Sequence, residues 1–137
     1  MGRTCVAGLM FAAVVVTSVA RASAHHTVAN SFDVRTLVSL TGRVTSVEWK
    51  NPHVIYHVAV LDTNGAEIDW QIESRHLQGM RRAGVEQDTI HAGDRVTMNA
   101  MPALDGSHHA ATATIVLADG RRLSLCTVTN DACPGSR

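Results

Sequence analysis

Short runs of alternating apolar and polar residues follow one another along most of the chain. In the first run, the apolar residues switch from one set of alternate positions to the other near Thr45. This switch predicts a long strand bent by a bulge. The second run begins at His53, and the third covers residues 67–73 with apolar residues on one face only. Between them, residues 62–65 (DTNG) are typical of a hairpin turn, because Asn and Gly tolerate positive φ.

One short helix is predicted after the third run. Ser74 can cap its N terminus, Leu77 and Met80 are spaced on one helical face, and Gly84 can end it. Three more runs predict a fourth strand, a fifth strand over residues 109–117 and a short sixth strand. A glycine lies in the turn before each of them: Gly93, Gly106 and Gly120.

This order of elements is the layout of an OB-like barrel. We therefore predict a mainly β fold, a small OB-like antiparallel barrel of five to six strands with one short helix between the third and fourth strands. The alternative is an open antiparallel sheet with one helix packed on it. Closure removes free strand edges, which favours the barrel. The β domain should cover residues 37–126, after an N-terminal arm (25–36) and before a tail (127–137).

The first 24 residues are typical of a secretory signal peptide. Arg3 supplies the positive n-region, and residues 5–20 form the apolar h-region. Ala22 and Ala24 supply the small residues of a cleavage site. Cleavage after Ala24 would release a periplasmic or secreted protein without a stable membrane anchor. The alternative is a segment that stays in the membrane.

The net charge and the cysteine content of the chain limit the functions that it can have. Lys plus Arg is 12 and Asp plus Glu is 12, so the formal net charge is zero, which argues against a nucleic-acid partner. After signal cleavage the remaining cysteines are Cys126 and Cys133, in an oxidising compartment. We predict a small disulfide loop between them. The alternative, a metal or redox pair, more often has C-x-x-C spacing.

Several of the 8 histidines are placed where they can bind a metal. Cleavage would leave His25 at the N terminus, followed by His26, and an N-terminal His offers both its amine and its imidazole. Such nitrogen-rich sites, of the histidine-brace type, suit Cu(II). The alternative is a loose chain end with both histidines in solvent. His53 and either His108 or His109 are the further candidate ligands, because an OB-like barrel places their loops on one rim.

The same rim is a candidate site for an organic ligand. Pro52 stiffens the corner between the first two strands and presents its neighbours from a fixed position. Aromatic residues nearby can form a stacking platform, although their periodicity equally fits the core. The candidate ligand-binding residues are Trp49, Asn51, His53, Tyr56 and Trp70.

The other polar residues are predicted to be structural or solvated. His57 lies roughly 13 Å along the strand from His53, too far to share one ion, and is expected to be structural. His76 and His91 are expected on the surface. Acidic residues alternate along the third strand and are expected to be solvated rather than catalytic: Glu67, Asp69 and Glu73. Since no catalytic motif is found, we expect no catalytic residues.

Several motifs resemble a known family. They are HH…SFD (residues 25–33), LTGRVTSVEWKNPH (40–53), DTNG (62–65), GDRV (93–96) and ADGRRL (118–123). Through them the chain resembles small secreted bacterial proteins with domain of unknown function 6152. The resemblance implies an exported single β domain and no established activity. The chain departs from the family in a longer spacer between His26 and Phe32, and in its Cys126–Cys133 tail.

Together these observations predict an exported, single-domain binding protein of unknown ligand and without catalytic activity. One alternative is a periplasmic copper-binding protein that uses the N-terminal brace-type site. Another is a structural or interaction protein of the cell envelope, whose partner would be a protein.

Overall fold

The computed structural model describes residues 28–126. Its strands are β1 (Val38–Glu48), β2 (Ile55–Leu61), β3 (Glu67–Glu73), β4 (Arg95–Pro102), β5 (His109–Leu117) and β6 (Arg122–Ser124). Helix α1 (Val28–Ser31) precedes the strands, and helix α2 (Leu77–Arg82) lies between β3 and β4. Neither helix of this part of the chain is long and apolar enough to cross a membrane.

The strands form a closed barrel rather than an open sheet. Their order is β3-β2-β1-β4-β5-β6, and a further pairing between β3 and β5 closes the barrel. This confirms the predicted OB-like fold with one short helix between the third and fourth strands. The closing pair is parallel, with Gln71 opposite His109 and Glu73 opposite Ala111. Five strands thus close the barrel, and β6 is an extra strand beside β5. The barrel is mixed rather than antiparallel as predicted, because an odd number of strands cannot close through antiparallel pairs alone.

β1 reaches across the barrel because it is long and bent. It pairs with both β2 and β4, and its register against β2 shifts between Val44 and Ser46. This confirms the bulge predicted near Thr45. At Gly42 the two strands approach so closely that an added Cβ would lie 2.3 Å from the Ala59 carbonyl oxygen. Only a residue without a side chain fits there.

The main core fills the barrel interior. Buried apolar side chains from the strands pack with helix α2 and the residues after it, and the largest are Tyr56, Ile72, Met80, Met98, Ile115 and Leu125. Met80 is fully buried and carries the apolar face of α2 into this core. The position of α2 is thus determined by packing against the barrel.

Helix α2 does not begin as the sequence predicts. The N-cap is His76 rather than Ser74, and its Nδ1 accepts a hydrogen bond from the Gly79 amide at 3.3 Å. Ser74 is buried, and its amide instead donates a hydrogen bond of 2.8 Å to the Val54 carbonyl, just before β2. Asn51 Oδ1 also accepts from the Leu77 amide, at 3.1 Å. Amides in the first turn of a helix have no hydrogen-bond acceptor within the helix. Both contacts therefore stabilise the start of α2.

A second, smaller core lies under the N-terminal arm. Phe32 is 5% exposed and packs with Met101 and Ala111. The Leu104 amide donates a hydrogen bond of 2.9 Å to the Ser31 carbonyl, which ties the arm to the β4–β5 loop. The arm is therefore held against the outside of the barrel.

Candidate functional site

A cleft of about 600 Å³ opens between the arm, the β4–β5 loop and the start of α2. Its apolar wall contains Val28, Phe32, Ala103, Leu104 and Ala111. Its titratable side chains are those of His53, Glu73, Arg75, His76, Asp105 and His109. Small-molecule sites of roughly 300–1,000 Å³ combine such apolar walls with a few convergent polar groups.

The carboxylate of Glu73 is the polar centre of the cleft. His53 Nδ1 lies 2.5 Å from Glu73 Oε1, and His109 Nε2 lies 3.5 Å from Oε2. The Glu73 side chain is 25% exposed, so it is partly shielded from water. Barrel closure brings the two imidazoles together, because one precedes β2 and the other begins β5.

His109 is only partly satisfied in its hydrogen bonding. Its Nε2 is buried and makes no hydrogen bond, because the Glu73 oxygen lies beyond a well-formed bond. The ring packs edge-on against Phe32, with centroids 5.0 Å apart. Hydrogen bonds from Ser107 lower the pKa of Asp105 below its usual value, and nearby His109 contributes to this. Glu73 Oε2, at 3.5 Å, is thus the polar atom that faces this buried nitrogen of His109.

The aromatic residues predicted to bind a ligand lie elsewhere. Tyr56 is 1% exposed in the barrel core, where burial raises the pKa of its hydroxyl, and it is not accessible from the rim. Because side chains alternate between the two faces of a strand, the position of Tyr56 along β2 directs its side chain into the barrel. Trp49 packs against the main core, and Trp70 contacts the His108 ring at a centroid distance of 5.2 Å. Of the five predicted ligand-binding residues, His53 is the one that lines the cleft.

The predicted metal ligands are only partly brought together. His25 and His26 lie outside the described residues, so the brace stays a prediction. His53 and His109 meet at Glu73, whereas the His108 ring contacts Trp70. Within residues 28–126, no group of three or more His, Cys, Asp or Glu side chains could hold a metal ion.

The end of the described chain lies beside the cleft. Arg75, on the cleft wall, donates a hydrogen bond from Nη2 to the Cys126 carbonyl. Leu125 is fully buried, and its amide donates to the Ala113 carbonyl at 2.9 Å. Cys133 lies outside the described residues, so its disulfide with Cys126 stays a prediction.

A family comparison places the chain among known sequences. The model of a family of unknown function, DUF6152, matches residues 12–112, which is most of the chain. The chain belongs to this family. Neither the curated proteins nor the solved structures contain a match. DUF6152 membership confirms the resemblance seen in the motifs and brings no assigned activity, so functional arguments rest on the cleft.

Sequence reasoning about this DUF6152 protein missed the place of Glu73 in the cleft and the role of His76 as the N-cap of α2, although His76 is exposed as predicted. Alternation along β3 gives Glu73 the same parity as Glu67 and Asp69, which are exposed as expected. Glu73 differs because β5 pairs with β3 at that end. Which distant strand pairs with the end of β3 cannot be read from the alternation along β3, so the role of Glu73 depends on the tertiary structure. For His76 no signal existed, since its role depends on where α2 begins.

His57 lies away from the cleft, between two carboxylates. Its Nδ1 is 3.1 Å from Asp69 Oδ2, and its Nε2 is 3.2 Å from Glu48 Oε1. Partial burial acts to lower the pKa of this imidazole, but the hydrogen bonds and charges of both carboxylates outweigh burial and raise it. Both ring nitrogens have partners, which favours the predicted structural role.

We expect His57→Gln to lower thermal stability more at pH 5.5 than at pH 8.5. A raised folded-state pKa stabilises the fold below the unfolded value of about 6.5, and this is lost as pH rises through the folded value. The difference should be at most about 4 °C, because partly exposed pairs contribute little. Thermal unfolding at both pH values measures it, with His91→Gln as an exposed control. Equal losses at both pH values would contradict the role given to the ion pairs.

Proposed function

We propose that this protein is an exported binding protein that holds a small organic molecule in the cleft around Glu73. The cleft itself carries the proposal, because about 600 Å³ of space combines one apolar wall with a compact polar centre. Export is supported by residues 1–24, whose pattern is that of a cleaved signal peptide. The proposal includes no catalytic step.

The polar groups favour a ligand that donates a hydrogen bond. A neutral imidazole that donates from Nδ1 to a carboxylate keeps Nε2 as an acceptor. His53 Nδ1 lies 2.5 Å from Glu73, and the His53 side chain is 49% exposed. A hydroxyl or amine on the ligand can therefore bind at His53 Nε2. The apolar wall would remove the rest of such a molecule from water.

The contribution of the apolar wall to ligand affinity can be tested at Leu104. It is 60% exposed, and its backbone is held by the hydrogen bond to Ser31. Burying an exposed Leu side chain completely stabilises by about 1.5–3 kcal/mol, and a tenfold change in affinity corresponds to about 1.4 kcal/mol. Covering much of Leu104 with a ligand should therefore contribute about a tenfold gain in affinity.

We expect Leu104→Glu to weaken binding of small aryl alcohols and amines about tenfold. The full chain is expressed in a bacterial host, recovered from the periplasm and titrated with benzyl alcohol and benzylamine. The amide NMR shifts of Ala103 and Ala111 report on the cleft. Leu61→Glu is the matched control, since Leu61 is 64% exposed at the end of β2 and does not line the cleft.

Two results would overturn the binding proposal. One is the absence of shifts at the cleft with both probes, and the other is an equal loss of affinity in the two leucine variants. Failure to find the protein in the periplasm would overturn its export.

A further inference from the structure

We infer that the cleft selects a small carboxylic acid, and that Arg75 is the residue that binds its carboxylate. The inference rests on the proposed function and names the class of ligand: a 2-hydroxy or 2-amino acid with an apolar side chain. The hydroxyl or amine of such a ligand binds at His53, and its apolar side chain lies against the wall that contains Leu104. The carboxylate is its third group, and Arg75 lines the same cleft.

Arg75 differs from the other arginines in the described part of the chain. The others are all exposed, whereas Arg75 is half-buried on the cleft wall. Several of the exposed ones have a carboxylate partner: Arg35, Arg43, Arg81 and Arg121. Within residues 28–126, the hydrogen-bond acceptor of Arg75 is a backbone carbonyl and not a carboxylate. A partly buried charge needs a partner more than an exposed one does, so a ligand anion would complete the surroundings of Arg75.

The guanidinium of Arg75 is held in place before any ligand binds. Its Nη2 donates a hydrogen bond to the Cys126 carbonyl. Its stem runs along the first turns of α2, because a Cβ added at Gly79 would lie 3.1 Å from Arg75 Cβ and 3.3 Å from Arg75 Cδ. The carbonyl takes one of the five N–H donors of an arginine, and the planar fork of the others matches a carboxylate. A side chain that is already ordered loses little entropy when it binds a ligand.

His53 and Arg75 are neighbours across a backbone pairing. The Val54 amide donates to the Arg75 carbonyl at 2.9 Å, and the Ser74 amide donates to the Val54 carbonyl at 2.8 Å. The pairing of β2 and β3 therefore continues beyond both strands. His53 immediately precedes Val54, and both His53 and Arg75 line the cleft. Side chains that neighbour each other across such a pairing are within reach of one small molecule, so a hydroxyl and a carboxylate on adjacent carbon atoms can bind both.

The carboxylates of the cleft already have partners within the protein. Glu73 is contacted by two imidazoles, at 2.5 and 3.5 Å. Asp105 accepts hydrogen bonds from the Ser107 hydroxyl at 2.7 Å and from the Ser107 amide at 2.9 Å. Among the charged side chains of residues 28–126 that line the cleft, Arg75 is thus the one without a side-chain partner. This difference favours a negative group on the ligand.

The test compares ligands that differ in the carboxylate alone. Mandelate is benzyl alcohol with a carboxylate on the carbon that bears the hydroxyl, and mandelamide has an uncharged amide there. Phenylglycine is related to benzylamine in the same way. The full chain recovered from the periplasm is titrated with each at neutral pH, and the amide NMR shifts of Ala103 and Ala111 report binding. We expect mandelate to bind at least about tenfold more tightly than benzyl alcohol or mandelamide, because hydrogen bonds between charged groups are roughly twice as strong as neutral ones.

A matched pair of arginine variants assigns the preference to one residue. Arg75→Gln should abolish the preference for mandelate over mandelamide, because it removes the charge and the fork of donors. Arg82→Gln is the control, since Arg82 is exposed on α2 and does not line the cleft, and it should keep the preference. Thermal unfolding verifies that both variants are folded. If Arg75→Gln does not fold, the comparison of mandelate with mandelamide in the wild type still decides.

Two results would overturn the carboxylate site. One is equal affinity of the wild type for mandelate and mandelamide, and the other is a preference for mandelate that persists in Arg75→Gln. In both cases, shifts at Ala103 and Ala111 with benzyl alcohol would leave the proposed binding function standing. The absence of shifts with every probe would overturn both the carboxylate site and the proposed function.

Discussion

Gly42→Ala is expected to destabilise the barrel by about 3 kcal/mol, although it adds only one methyl group. The new Cβ would lie 2.3 Å from the Ala59 carbonyl oxygen and 2.8 Å from Val58 Cγ1. Ala59 is paired with Arg43 in the β1–β2 ladder, so its carbonyl cannot move away without disturbing that pairing. Overpacking usually costs about 1–3 kcal/mol, and a clash with backbone belongs at the upper end.

Urea unfolding measures this loss, and the Tm should fall by more than about 10 °C for a domain of this size. Ser39→Ala is the control on the same strand, where the side chain is exposed, and should change stability by less than about 0.5 kcal/mol. Wild-type stability in Gly42→Ala would show that β1 and β2 do not approach this closely.

Met80→Ala is expected to cost about 3 kcal/mol and to loosen the start of α2. Met80 is 0% exposed and is the largest side chain that α2 buries in the barrel. Truncation leaves a cavity, which typically costs about 2–5 kcal/mol for a buried Met. It also removes the sulfur that accepts a hydrogen bond from Ser74 Oγ at 3.2 Å. A buried hydroxyl without a partner adds to the cost.

The effect of Met80→Ala should reach the cleft, because α2 begins beside it. Hydrogen exchange at the Gly79 amide, which His76 caps, should become faster than in the wild type. Gln78→Ala is the control on the exposed side of the same helix. If both variants unfold at the same urea concentration, Met80 does not anchor α2 to the barrel.

Local signals were enough to predict most of the barrel. The strand predicted over residues 109–117 has the bounds of β5, and burial alternates along β1 from Ser39 to Thr45. At the DTNG turn, Asp62 Oδ1 accepts hydrogen bonds from the Asn64 and Ala66 amides, and Gly65 has a φ of +82°. Period-two burial and turn geometry depend on neighbours within a few residues, so they can be read from the chain itself.

The first residue of α2 could not be predicted from the local sequence. Ser74 has the better capping side chain, yet its amide pairs with the Val54 carbonyl and its hydroxyl points to Met80. The strand pairing therefore extends through Ser74, and the cap moves to His76. Capping preference is a property of one residue, whereas the end of a strand depends on its partner.

The sequence by itself determined the strand pattern, the bend in β1, the helix between β3 and β4 and the family. Only the tertiary structure decided that Glu73 is the centre of a site. Glu67, Asp69 and Glu73 lie on the same face of β3. Of these three, only Glu73 lies in the part of β3 that pairs with β5. Barrel closure also brings His53 and His109 to its two oxygens. Side-chain periodicity along one strand carries no information about which distant strand will cover it, so topology decided the site.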